Sequence, residues 1–257
     1  MSSEPSTDSN GEEMNEMPFK TIFLIRHAES AENALMQGVA RSWNALKQFS
    51  LPALNDLKGG VELASAMATG ATDECLLSEN GQAQVAEVRK LLLDHAETLN
   101  VLKKEPVVVT CSPMLRAKLT CEGLFKDVLP SGVEVLTLET LREIIPIDYV
   151  APTRWANAKS RILDFEKWVA QQTAPNIVVV GHSHYFRHML GVDFKFSNCE
   201  VWKAKFIPAH VDDADPRKKW PHIERLFGSS SAKATFGAEG PDAWAKMAQK
   251  PEGEKPF

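Results

Sequence analysis

The chain has 257 residues, enough for one large domain or two small ones, and carries 34 acidic against 29 basic side chains for a net charge of −5. No basic stripe marks a nucleic-acid binder, no later run is long and apolar enough to span a bilayer, and the start lacks the basic and apolar regions of a signal peptide. Nucleic acid and membrane are therefore not expected partners, the expected compartment is cytoplasmic, and composition leaves the oligomeric state open.

Residues 1–17 carry Glu4, Asp8, Glu12, Glu13 and Glu16 without a Lys or Arg, and are expected to form a disordered acidic arm. Phe19–Ile25 is a short apolar run of strand formers, as a buried parallel strand requires. Residues 34–76, with Trp43, Phe49 and Gly59-Gly60, exceed a simple crossover and are expected as helices and loops inserted over the active face. Ser78 is placed to cap a helix reaching about Leu93, with Val85, Val88, Leu91 and Leu92 on one side. Pro106–Thr110 reads as a second strand. Ser112-Pro113 then reads as a helix start, Ser at the N-cap and Pro at the first helical position.

Val133–Leu138 alternates like a third strand, and Thr153 to about Gln171 places Trp155, Ile162, Phe165 and Trp168 or Val169 on one helical side. Ile177–Val180 is a fourth strand, Ser183–Leu190 a helix stopped by Gly191, and Cys199–Ile207 one more strand. This alternation predicts an α/β fold: a three-layer α/β/α sandwich with a largely parallel central sheet. The domain is expected to span 18–208. Residues 209–257 read as a loosely structured tail: Arg217-Lys218-Lys219 as a solvated face, Ser229-Ser230-Ser231 as a linker and Pro241–Gln249 as one short helix. Cys75, Cys111, Cys121 and Cys199 have no metal or redox spacing; those near the strands read as small core residues.

Chemistry-bearing side chains follow these strands. Arg26-His27 comes directly after the first, Arg116 after the second, Glu143 after the third and His182 after the fourth. Ligands of open α/β sheets bind outside the carboxyl ends of the strands, so residues far apart in sequence are expected to converge. A neutral imidazole is a competent nucleophile toward phosphorus, and Arg26 and Arg116 beside His27 would hold it neutral. The same guanidiniums suit bidentate phosphate binding. His182, at a strand-to-helix turn in Gly181-His182-Ser183, is placed to stabilise a transferring phosphoryl group. Glu143, among Ile144, Ile145 and Ile147, would have its pKa raised and protonate a leaving oxygen, with Glu139 and Asp148 as competitors for that role.

Five blocks in one order then resemble a known family. Arg26-His27-Ala28-Glu29-Ser30-Ala31-Glu32-Asn33, Leu77-Ser78-Glu79-Asn80-Gly81-Gln82-Ala83, Ser112-Pro113-Met114-Leu115-Arg116-Ala117-Lys118-Leu119-Thr120, Leu141-Arg142-Glu143 and Gly181-His182-Ser183 resemble the histidine phosphatase superfamily, in its phosphoglycerate mutase-like branch. They cover about residues 19–206. The resemblance implies a phosphohistidine on His27, a phosphate pocket of Arg26, Asn33, Arg116, His182 and Ser183, Glu143 as proton donor, and neither metal nor organic cofactor. The implied substrate is a phosphorylated small molecule or a phosphoprotein.

Two positions depart from the family pattern. Ala28 stands where Gly is commoner, and Glu143 is followed by Ile-Ile-Pro-Ile where glycolytic mutases carry Arg-x-Tyr-Gly. The second departure favours a phosphatase over a cofactor-dependent phosphoglycerate mutase, and the intact set of five pocket residues argues against a catalytically weak phospho-ligand-binding protein. Phe196-Ser197-Asn198-Cys199-Glu200 resembles less characterised eukaryotic members. His182, His184 and His188 offer a candidate metal site, but no Glu lies between the last two as a zincin helix needs, and no third ligand is obvious. Arg154, Arg187 and Lys195 read as solvated surface or as substrate contacts.

Overall fold

The computed structural model describes residues 18–31, 33–34, 74–104, 106–130, 132–145, 148–149 and 152–231. The acidic arm, nearly all of the insertion, and the short helix expected over Pro241–Gln249 lie outside these residues. In chain order the described elements are β1 Lys20–Arg26, α1 Glu79–Asp94, α2 Ala96–Lys104, β2 Val107–Cys111, α3 Leu115–Phe125, β3 Val135–Thr137, α4 Pro152–Gln171, β4 Asn176–Gly181, α5 Ser183–Leu190, β5 Val201–Phe206, α6 Pro216–Lys219 and β6 His222–Phe227. None of the described helices is long and apolar enough to cross a membrane.

The strands form one sheet in the order β3-β2-β4-β1-β5-β6. β1 with β4, β4 with β2 and β2 with β3 run parallel, and β5 and β6 add an antiparallel edge. Successive side chains of a strand point to opposite faces. In β1, Ile22 and Leu24 join a core with α4, α5, Phe196 and Trp220, while Phe23 and Ile25 join a second core with α1 and α3. In β4, Ile177 and Val179 face the first core, Val178 and Val180 the second. Because β1 and β4 are buried on both sides, their central positions are apolar on both faces.

The register carries the functional consequence. Arg26 lies opposite Gly181, and Cys111 opposite Val180. The next residues, His27, His182 and Ser112, therefore emerge together at the carboxyl edge of three adjacent parallel strands. The main chain stays paired there: His27 N–H donates to Gly181 O at 2.9 Å and Ser112 N–H to Val180 O at 2.9 Å.

Ser78 caps α1, its side chain accepting from Gly81 N–H at 2.9 Å, and its hydroxyl also reaches the Glu29 carboxylate at 2.8 Å. Gly81 is required by contact: a Cβ there would lie 2.0 Å from the Glu29 carbonyl oxygen. Gly81→Ala is expected to destabilise the fold by about 1–3 kcal/mol, through strain transmitted to the loop after β1. Urea titration would read the loss; a midpoint unchanged from the parent would show that this loop yields freely.

Several sequence-based boundaries are corrected. Met114 is the N-cap of α3, so Ser112 and Pro113 precede the helix. The Ser112 hydroxyl accepts instead from Met114 N–H, at 3.3 Å, before the first turn, and lies 2.7 Å from His182 Nε2. α2 was not anticipated; it follows the break at His95 after α1. The largest correction is at the C-terminal side. The domain does not end at 208: Pro208–His210 is a helical turn, α6 packs beside α5, and β6 extends the sheet. Lys219 of the expected solvated face is buried, its Nζ on Glu166 Oε2, while Trp220 Nε1 donates to Glu166 Oε1 at 2.9 Å. Ser229 of the expected linker is buried and donates to Glu87 at 2.6 Å.

Candidate active site

His27 leaves the end of β1 buried, with its Nδ1 2.7 Å from its neighbour's carbonyl, Ala28 O. A carbonyl only accepts, so Nδ1 carries the proton and Nε2 keeps its lone pair. The His182 ring lies 5.1 Å away, centroid to centroid, in an edge-on arrangement. His27 is held well below its ordinary value near 6.5, first by burial and then by His182, Arg26 and Arg116. Burial thus outweighs the two arginines that the sequence singled out.

The loop after His27 is fixed from three sides. Ala28 N–H donates to Thr120 of α3 at 3.0 Å, Glu29 N–H to Gln84 of α1 at 2.9 Å, and Asn198 Nδ2 to the His27 carbonyl at 3.0 Å. Thr120 in turn donates to the Arg116 carbonyl at 2.7 Å, linking the arginine's helix to the nucleophile's loop.

Arg26 and Arg116 are both buried. Arg26 donates through one terminal nitrogen to Phe196 O at 2.7 Å, and its Nε has no hydrogen-bond partner among the described residues. Burial draws its pKa down to about 10, only partly offset by Glu143 and Glu200. Arg116, in the first turn of α3, is close enough for its charge to act on both imidazoles, Arg26 and Glu143. Two buried guanidiniums beside two neutral imidazoles form a cluster that favours an anion.

His182 is the N-cap of α5, and its Nε2 lies 2.7 Å from Ser112 Oγ. Its pKa is also held well below 6.5, by burial ahead of Arg116 and Arg26. Gly181 was expected to permit close backbone approach to phosphate. In the structure its missing Cβ makes room for Phe186, whose ring would stand 2.9 Å from it. Ser183 Oγ accepts from Phe196 N–H at 3.0 Å, so this side chain holds the 196–200 turn. Asn33 lies beside the His27 loop, its Oδ1 accepting from Ser30 N–H at 3.4 Å and Asn198 at 3.3 Å.

Glu143 sits between the turn after β3 and α5. Oε1 accepts from Ile144 N–H at 2.9 Å and Tyr185 N–H at 3.1 Å, and Oε2 lies 3.9 Å from His182 Nδ1. Burial raises its pKa to about 7, against opposing pulls from those amides, Arg116 and Arg26. The competitors are directed elsewhere: Glu139 pairs with Arg142 at 3.2 Å, and Asp148 accepts from Ile145 N–H at 3.0 Å. Of the flanking isoleucines Ile144 is buried, Ile145 is exposed and Ile147 lies outside the described residues.

His184 and His188 both bond the Tyr149 hydroxyl, at 3.2 and 2.8 Å. Among the described residues no group of three or more His, Cys, Asp or Glu could hold a metal ion. Arg187 donates to Asp193 O at 3.0 Å and Arg154 lies 3.8 Å from Asp148. Sequence reasoning missed the supporting roles of Ser112, Thr120, Gln84 and Asn198. Ser112 and Thr120 stood inside the quoted blocks, but their partners are distant in sequence.

No family model matches the chain, and no curated protein matches it. Solved structures do. The protein histidine phosphatase SixA complexed with tungstate is 13% identical at TM-score 0.43, over 74% of this chain and 90% of that one. Phosphoglycerate mutase from Bacillus anthracis is 15% identical at TM-score 0.45, over 75% and 90% respectively. Phosphoglycerate mutase from Plasmodium falciparum is 12% identical at TM-score 0.40, over 86% and 97%. The solved structures to which this chain is similar thus include a protein histidine phosphatase and phosphoglycerate mutases.

Proposed function

We propose that the chain is a phosphatase that hydrolyses a phosphomonoester through a covalent phosphohistidine on His27. The observation that carries this reading is the Nδ1–H of His27 on the Ala28 carbonyl, in a ring buried beside His182 and two buried arginines. That bond leaves Nε2 as the nucleophilic atom, and burial with the neighbouring cations keeps it unprotonated at neutral pH. Arg26 and Arg116 bind the phosphoryl oxygens, joined by Asn33 and the start of α5.

In the first step Nε2 forms a bond to phosphorus as the ester P–O bond breaks. The electron pair goes to the leaving oxygen, which takes the Glu143 proton. A water then attacks phosphorus, its proton passes to Glu143, and the N–P pair returns to His27, releasing inorganic phosphate. His182 steadies the charge on the transferring oxygens, pinned in place by Ser112. The substrate is a phosphorylated small molecule or phosphoprotein.

The test is rapid acid-free quenching with a ³²P-labelled phosphomonoester. Acid-labile label is expected on the wild-type chain and none on His27→Ala, whose turnover should fall by at least about 10⁴-fold. Turnover retained by His27→Ala would refute the mechanism. Vanadate binding with no hydrolysis of any ester would instead leave a phospho-ligand-binding protein.

A further inference from the structure

The turn Phe196–Glu200 touches the β1 end at more points than a connection needs. Phe196 O accepts from the Arg26 guanidinium at 2.7 Å, Glu200 O from Arg26 N–H at 3.3 Å, and Cys199 N–H donates to Arg26 O at 3.1 Å. Asn198 sends one amide nitrogen to both His27 O, at 3.0 Å, and Asn33 Oδ1, at 3.3 Å. The turn also holds Cys199 at φ +56°, a region that side chains other than Gly, Asn and Asp seldom occupy. Such a conformation persists only where surrounding bonds over-determine it. Here Glu200 supplies them, accepting from Ser197 N–H at 2.8 Å, Trp202 Nε1 at 3.2 Å and Arg225 Nε at 2.8 Å.

Both amide orientations follow from main-chain partners. The end of Asn198 facing the His27 carbonyl must be its NH₂, because a carbonyl cannot donate. The end of Asn33 facing Ser30 N–H must be its oxygen. With Oδ1 occupied by Ser30 and Asn198, the Nδ2 of Asn33 is turned the other way.

We infer that Asn198 is a positioning residue that sets the Asn33 amide so that its NH₂, and not its oxygen, meets the phosphoryl group. This rests on the phosphatase reading and adds a determinant of anion affinity to it. Without Asn198 the Asn33 amide keeps only the long 3.4 Å contact from Ser30 N–H, and for part of the time rotates to present an acceptor to an anion.

Asn198→Ala is expected to weaken inorganic phosphate and vanadate about tenfold by calorimetry and to raise KM more than it lowers kcat, with the phosphoenzyme still formed. In a double-mutant cycle, adding Asn198→Ala to Asn33→Ala should cost no more than about twofold further, because the two act as one unit. Losses that multiply, or an Asn198→Ala protein binding phosphate like the parent, would overturn the inference. Should Asn198→Ala fail to fold, Asn33→Asp keeps the test, since it retains the acceptor for Asn198 and replaces the donor. It should bind phosphate more weakly than Asn33→Ala, and equal affinity would refute the assignment. Failure of the phosphatase reading is separately visible, as absence of labelled phosphoenzyme in the wild type.

Discussion

Glu143→Gln is expected to lower kcat/KM for an alkyl phosphate by about 10²–10⁴-fold, and to affect an aryl phosphate with a stable phenoxide far less. The difference arises because only a poor leaving group needs a proton as the P–O bond breaks. Glutamine keeps the shape and still accepts from Ile144 and Tyr185 N–H through its oxygen, so the loss reports the missing proton. In the wild type the acid form is needed first, and its pKa is raised to about 7. Activity on the alkyl ester should therefore fall as pH rises above about 7, while His27, held well below 6.5, stays unprotonated on the acid side down to lower pH.

The same carboxyl makes a stability prediction of fixed sign. Its folded pKa lies above the ordinary 4.5, so its favourable contribution is fully present below about pH 4.5 and is lost as pH rises through about 7. The size is roughly 3 kcal/mol by order of magnitude. Glu143→Gln lacks this term and should gain stability relative to wild type between pH 5 and pH 8, measured by urea unfolding at both. Parallel stability curves together with a flat alkyl-phosphate profile from pH 6 to 9 would remove Glu143 from the acid role.

The legible parts of the chain were those where one segment decides the outcome alone. β1 and β4 are apolar at nearly every position, and α5 carries its own stop in Gly191, which adopts φ +67°. Once those strands were found, the strand-end rule placed His27 and His182 together without knowledge of the register. Ser112 looked like a helix cap because capping chemistry is local, whereas its contact with His182 joins residues 70 positions apart. Asn198 stands in a recognisable stretch, but nothing near it in sequence says that its amide reaches Asn33. Glu143 is legible by position, and burial is the largest cause of its raised pKa, as its apolar neighbours suggest.

A chain ended after Pro208, where the sequence alone places the domain boundary, is expected to lose its cooperative unfolding transition. Such a truncation removes β6, which pairs with β5 from Lys205↔His222 to Val201↔Phe227, and Trp220, which is fully buried 4.6 Å from the Phe206 ring. It also leaves Glu166 of α4, fully buried, without Lys219 and Trp220. An unpaired buried charge costs about 3–5 kcal/mol and a lost core tryptophan about 3–5 more. Together they match the ~5–15 kcal/mol that holds a typical domain folded. The pocket suffers too, because Glu200 loses Arg225 and the turn that carries Asn198 loses its brace. Point variants separate the two causes. Lys219→Met should destabilise strongly, and adding Glu166→Gln should recover much of the loss, since the amide oxygen still accepts from Trp220 while no charge remains buried. Circular dichroism melts would decide the matter: a sharp transition for residues 1–208 within a few degrees of the full chain would show that β6 and α6 are dispensable.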